Sequence, residues 1–244
     1  MSLPDFMLDP NVVLKDDAQW RFKTAPDYSL TNATFEETKT TNWAPDSLEG
    51  LVQNLVKNWE KEASYKVDPN EWRTISKEKY VFNLNGGKQN MSADDMLRIG
   101  TYSALIGKDG VEGAYELPAM DFTKSHKLFK GAMKTFNWEV LEVIGGPPKV
   151  SIRWRHWGKM TGNYRAQLNS GRTIFAKANN QLIEVFGVTV AQVNAKFEIE
   201  SVETFWDPQQ LFKQLLSEGL ETLEGETFVE ELVPLTSGAC PVAH

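Results

Sequence analysis

The sequence predicts an α+β fold in which a curved antiparallel sheet carries helices on its concave side and encloses a cone-shaped pocket. Three observations lead to it. Helical patterns dominate the first half of the 244-residue chain, and long strands at hairpin distances follow one another in the second. The third is the segment Val150–Trp157, where period-two alternation places Ile152, Trp154 and His156 on one face and Arg153, Arg155 and Trp157 on the other. One face of that strand suits a partner or solvent. The other holds an imidazole among apolar groups, as the wall of a small-molecule pocket would.

Each element follows from local chemistry. Residues 1–45 contain Pro4, Pro10, Pro26 and Pro45 and no clean periodicity, so they read as an extended arm. Trp20, Phe22, Tyr28, Phe35 and Trp43 would pack it onto the body. Asp46 with Glu49 resembles a capping box, and Leu48, Leu51, Val52, Leu55, Val56, Trp59 and Ala63 recur at helical spacing until Asp68-Pro69-Asn70 breaks the pattern. Tyr80–Leu84 reads as a short strand running into Asn85-Gly86-Gly87. Ser92 and Asp95 start a second helix, filled from Met96 to Ile106 and apolar on more than one face. Thr123–Met133 fits helix or strand.

Phe136–Ile144 and Val150–Trp157 form a strand pair across Gly145-Gly146-Pro147-Pro148, a corner combining free and fixed φ. The polar stretch Asn163–Asn180 reads as a loop over one end of the sheet. Gln181–Val193 and Phe197–Trp206 give two further strands across Asn194-Ala195-Lys196. Asp207-Pro208 then opens a helix with Leu211, Phe212, Leu215, Leu216 and Leu220 on one stripe. The domain organisation expected is an arm over 1–45, one α+β domain over 46–220 and a loosely held tail over 221–244.

Composition narrows the function classes. Net charge is 26 − 33 = −7, which argues against a general nucleic-acid binder. Charge is segregated: ten Lys/Arg against three acids in 121–172, and eight acids against Lys213 in 203–231. Such segregation fits two solvated faces, or steering of an anion or a second subunit. No apolar run reaches the roughly 18–20 residues of a membrane span. The opening residues lack a secretory pattern, so a cytoplasmic protein is expected. A lone Cys240 excludes an internal disulfide, and no metal-ligand spacing, phosphate loop, dinucleotide fingerprint or Ser-His-Asp pattern occurs. Chemistry without a metal or other cofactor is expected.

Several blocks, in order, resemble the pathogen-related proteins of plants and their fungal relatives. They are Asp17-Ala-Gln-Trp-Arg-Phe22, Trp59-Glu-Lys-Glu62, Tyr80–Gly86, Trp138–Val143, Gly146-Pro-Pro148, Arg155-His-Trp-Gly158 and Glu184-Val-Phe-Gly187, spanning roughly residues 16 to 216. Those proteins resemble the SnoaL-like branch of the nuclear-transport-factor-2-like fold, which includes polyketide cyclases, dehydratase-like lyases, isomerases and non-catalytic members. The resemblance implies a cone-shaped α+β fold with an internal pocket, commonly dimeric through the outer sheet face. It implies no particular reaction. The extreme N-terminus and the segment after Glu221 fall outside the matching blocks.

His156 is the first candidate for chemistry, because an imidazole moves protons near neutral pH; the alternative is a core histidine fixed by backbone or by Trp154. His126, in a lysine-rich stretch, is expected at the surface. Glu139 and Glu142 alternate, so only one of them should point inward, and Glu139 would assist His156. Glu184 shares the more apolar side of its strand with Leu182, Phe186 and Val188, as a pocket acid or the partner of an arginine. Glu203 carries the same two readings. Trp154, Phe186 and Trp138 supply aromatic walls, and Tyr102 a hydrogen bond or core volume.

Two functions share this pocket. One is a cofactor-independent biosynthetic enzyme cyclising, isomerising or dehydrating a hydrophobic oxygenated secondary metabolite, with catalytic His156, Glu184 and Glu139. The other is a non-catalytic carrier linked to stress or pathogen response. A homodimer through the outer face at Arg153, Arg155 and Trp157 is the expected partner arrangement.

Overall fold

The computed structural model describes residues 2–116 and 121–219 and the backbone of 221–223. Leu220 and the C-terminal Cys240-Pro241 and His244 lie outside the described residues.

The arm is less extended than its prolines suggest. It contains α1 (Asp5–Leu8) and α2 (Ser29–Thr38), and all four prolines fall outside these two helices. Long-range contacts hold such short helices: Asn58 Nδ2 donates to the carbonyls of Phe6 at 2.9 Å and Asp9 at 2.8 Å. Next comes α3 (Leu48–Tyr65), capped by Ser47, whose Oγ accepts from Gly50 N at 3.1 Å, rather than by Asp46. After β1 (Val81–Leu84), the expected single helix is divided into α4 (Ala93–Ile99) and α5 (Thr101–Ile106). Gly100 makes the break, at φ 87° and packed against Phe122. Ser92 and Asp95 form the capping box.

The ambiguous lysine-rich stretch is a helix, α6 (Phe122–Ala132), capped by Asp121. Then follow β2 (Asn137–Ile144), β3 (Lys149–Lys159), β4 (Tyr164–Gln167) and β5 (Thr173–Ala176). The last two replace the expected loop with a hairpin. Tyr164, Ala166, Ile174 and Ala176 point into the core, a short alternation hidden among polar neighbours. The chain continues through β6 (Leu182–Val193), β7 (Ile199–Phe205), α7 (Gln209–Leu215) and β8 (Glu221–Leu223). β8 pairs with β5, so the first residues of the expected tail are strand.

The large sheet has the order β1-β7-β6-β3-β2 and is antiparallel except at one edge, where β1 runs parallel to β7. That parallel pairing is possible because a long connection, residues 85–198, intervenes between the two strands. α3 lies on the concave side, with Val52 packed on Val140, Val150 and Ile152. β4, β5 and β8 form a second, smaller sheet.

The outer face differs from expectation. Arg153 is exposed, but Arg155 and Trp157 are buried. Trp157 Nε1 donates to Thr38 Oγ1 at 2.9 Å, and Phe35 lies 5.9 Å from its ring. The end of the arm therefore covers the positions assigned to a basic dimer surface. Trp43 Nε1 donates to Val140 O at 2.8 Å and Val140 N donates to Gln53 Oε1 at 3.1 Å, which blunts the exposed edge of β2.

Candidate functional site

A cavity of about 170 Å³ lies between α3 and the concave face of the large sheet. Its walls come from alternate residues of adjacent strands, Val150, Ile152, Trp154 and His156 of β3, Val185 and Thr189 of β6, and Val202 and Thr204 of β7. Trp138 of β2, Tyr102 of α5 and Val52, Leu55, Val56 and Trp59 of α3 complete the apolar lining. Cavities near 150 Å³ hold about one aromatic ring, so the matching ligand is small.

Packing fixes the walls. Trp154 Nε1 donates to Thr189 Oγ1 at 2.9 Å, and Thr189 shares a 2.9 Å hydroxyl contact with Thr204. Gly187 sits opposite Trp154 in the β3–β6 register, where any side chain would overlap the indole. Tyr102 stacks on Phe129 at 4.5 Å.

His156 stacks on Phe136 at 3.9 Å, and its buried Nδ1 has no hydrogen-bond partner. Burial first, and the charge of Lys130 second, pull its pKa down to about 3, against a weaker interaction with the backbone of Asn137 that favours the charged ring. The ring is therefore neutral at physiological pH, able to hydrogen-bond a ligand oxygen and poorly suited to hold a proton. A buried polar atom without a partner costs roughly 1–3 kcal/mol, which a ligand could restore.

His156, Trp154, Trp138 and Tyr102 thus meet in one cavity. Glu139, Glu184 and Phe186 do not join them. Glu139 lies opposite Arg155 in the β2–β3 register and points outward: Arg155 Nη1 donates to it at 2.8 Å, and Thr40 and Thr41 donate from the arm. A bulge between Val140 and Glu142 returns Glu142 to that outer face too, beside Arg153, so neither carboxylate of β2 points inward. Glu184 is the second partner of Arg155. The apolar side of β6 that carried Glu184 is the outer one: Leu182, Phe186 and Val188 are 50%, 48% and 39% exposed. The inner side carries Ile183, Val185, Gly187 and Thr189 instead.

His126 is buried rather than superficial. It stacks on Phe122 at 5.3 Å and its Nε2 lies 3.3 Å from Tyr65 Oη, outside the cavity lining.

Several lining residues escaped sequence reasoning. Tyr28 comes from the N-cap of α2 and Thr31, Asn32 and Phe35 from the helix itself, whose apolar pattern is too weak to show a face. Lys57, Glu60 and Lys61 come from α3. Their i, i+3, i+4 spacing beside the Val56–Trp59 stripe was the available signal. Tyr28 Oη donates to both oxygens of Glu60, at 3.1 and 2.9 Å.

A pathogen-related protein of Hordeum vulgare is 30% identical over 193 residues, covering 77% of this chain and 78% of its own. The chain belongs to the pathogen-related protein family. No family model matches it. Among solved structures, a provisional SnoaL-like polyketide cyclase from Jannaschia sp. CCS1 is 10% identical, covering 72% of this chain and 96% of its own at a TM-score of 0.35. A protein of ketosteroid isomerase-like fold from Catenulispora acidiphila is also 10% identical, covering 66% and 90% at 0.33. Among the described residues, no helix is long and apolar enough to cross a membrane, and no group of His, Cys, Asp and Glu could hold a metal ion.

Proposed function

We propose that this pathogen-related protein is a cofactor-independent enzyme that isomerises, dehydrates or cyclises a small hydrophobic oxygenated metabolite. The observation that carries the reading is a neutral imidazole with an unpartnered nitrogen in the wall of a largely apolar cavity. A substrate carbonyl or hydroxyl takes its hydrogen bond from His156, while Trp138 and Trp154 confine the carbon skeleton. Confinement removes rotational entropy that a flexible substrate would otherwise lose on the way to reaction. Glu60, oriented by Tyr28, replaces Glu139 and Glu184 as the carboxylate that accepts a proton.

The test is incubation with single-ring terpenoid and phenolic aldehydes, ketones and alcohols, followed by mass spectrometry. Loss of substrate with gain of an isomer or a dehydrated product supports the reading. His156→Phe should then slow turnover by about 10²-fold or more. Bound but unaltered compound would instead support a carrier, a reading favoured by one observation: an imidazole with a pKa of about 3 is a weak proton carrier.

A further inference from the structure

Three lysines lie along α3 and at its C-terminal cap; Lys61 and Lys66 are buried and tied down, and Lys57 is half-buried. Lys66 Nζ pairs with Asp16 at 2.6 Å and Glu62 at 2.9 Å. Lys61 Nζ donates to the carbonyls of Pro10 at 3.0 Å and Lys57 at 3.2 Å. Lys57 is different. Among the described residues its Nζ has neither an ion pair nor a hydrogen bond, and rests 3.0 Å from the centroid of the Phe35 ring. It lines the same cavity as His156, and Glu60 follows it by one helical turn on the same wall.

We infer that Lys57 is a nucleophilic amine that forms an imine with an aldehyde or ketone bound in the cavity. The inference rests on the cavity's being the substrate site, as proposed above, and names the substrate class. The amine lone pair attacks the carbonyl carbon, the C=O π pair moves to oxygen, and proton transfer from nitrogen to that oxygen gives a carbinolamine. Loss of water then leaves the C=N bond, so one amine and one carbonyl give one imine and one water. Once that nitrogen is protonated, Glu60 of the same cavity would remove a proton from the carbon next to the bond, the electron pair moving onto nitrogen to leave a neutral enamine.

The surroundings keep the amine reactive. Burial first, with the charges of Lys61 and Lys39, lowers its pKa to about 7 against the opposing charges of Glu36 and Glu139. A substantial fraction is therefore unprotonated at neutral pH, whereas an ordinary lysine is almost wholly ammonium.

Benzaldehyde with sodium cyanoborohydride at neutral pH, followed by peptide mapping, tests the inference. The expected result is a benzyl adduct at Lys57 forming at least about tenfold faster than on the exposed Lys15, abolished in Lys57→Arg while the other lysines label as before. Labelling of Lys57 no faster than Lys15 overturns it. Benzyl alcohol, which has the ring without the carbonyl, separates the two levels of the argument through tryptophan fluorescence and protection. If it binds and Lys57 still fails to label, the imine fails and the cavity reading stands. If Lys57 labels but benzyl alcohol neither binds nor protects it, its reactivity lies outside the cavity and the inference fails. If the alcohol does not bind and Lys57 does not label, both readings fall.

Discussion

Glu139 and Arg155 face each other across β2 and β3, and Arg155 Nη1 donates to Glu139 Oε1 at 2.8 Å on the side of the sheet turned away from the cavity. The pair also anchors the arm, because Thr40 and Thr41 donate to the same carboxylate and Thr38 O accepts from Arg155 at 3.4 Å. Of the two carboxylates expected to work beside His156, Glu139 instead holds a strap against the outer sheet and Glu184 pairs with the same arginine.

Arg155→Ala should therefore destabilise the fold by about 3 kcal/mol or more, since it strands a buried carboxylate. Arg155→Lys should recover only part of that loss, because one ammonium cannot reproduce a fork shared between Glu139 and Glu184. Urea midpoints measure both. A loss within about 0.5 kcal/mol for the alanine variant would show that the pair does not hold the arm.

Acidification should lower stability in two stages. His126 and His156 have pKa values lowered from 6.5 to about 3 by burial. Between those values the unfolded chain binds more protons, so stability is lost as pH falls below 6.5, approaching about 1.4 kcal/mol per pH unit for each ring. Burial pushes the Glu139 carboxyl up, but hydrogen bonds from Arg155, Thr40 and Thr41 outweigh it and hold it below 4.5. Its contribution is complete above 4.5 and disappears as pH drops through the lower folded value. Imidazole proton resonances should show no midpoint between about pH 5 and 8 for either ring. A midpoint near 6.5 for His156 would remove the neutral-ring argument.

Glu60→Gln should reduce turnover by about 10²–10⁴-fold while leaving ligand affinity nearly unchanged, because the amide keeps the volume and loses the base. Glu184→Gln should leave turnover within about twofold. The reverse order would return the chemistry to the outer face.

Gly187→Ala should cost about 1–3 kcal/mol and shrink the cavity, since the added methyl drives Trp154 from its place beside Thr189. The melting temperature and the affinity for benzyl alcohol should fall together. Unchanged affinity would show that Trp154 is not a cavity wall.

The homodimer expected through the outer sheet face at Arg153, Arg155 and Trp157 loses the last two to the arm; Phe186, assigned to the pocket, lies instead on that outer face with Val188 and Phe205, 48%, 39% and 41% exposed. Phe186→Glu should convert a dimer to a monomer in light scattering. A monomer before substitution would dispose of the interface.

Local pattern carried the backbone far. Periodicity located α3, β2, β3, β6 and β7, the Ser92–Asp95 cap was visible as a pair, and the alternation in β3 placed Trp154 and His156 together. These properties depend on neighbours a few residues apart, which the sequence alone determines. The hairpin β4–β5 escaped because each strand is four residues long and its buried positions are diluted by polar ones. What only the tertiary structure decided was which side of each strand faces inward. β6 is apolar on both sides, so alternation could not choose between Val185 and Phe186, and a bulge in β2 reset the alternation on which Glu142 was placed. Lys57, Glu60 and Lys61 of the cavity come from α3, far from β3 in the chain, and are brought to the wall that His156 shares by packing alone.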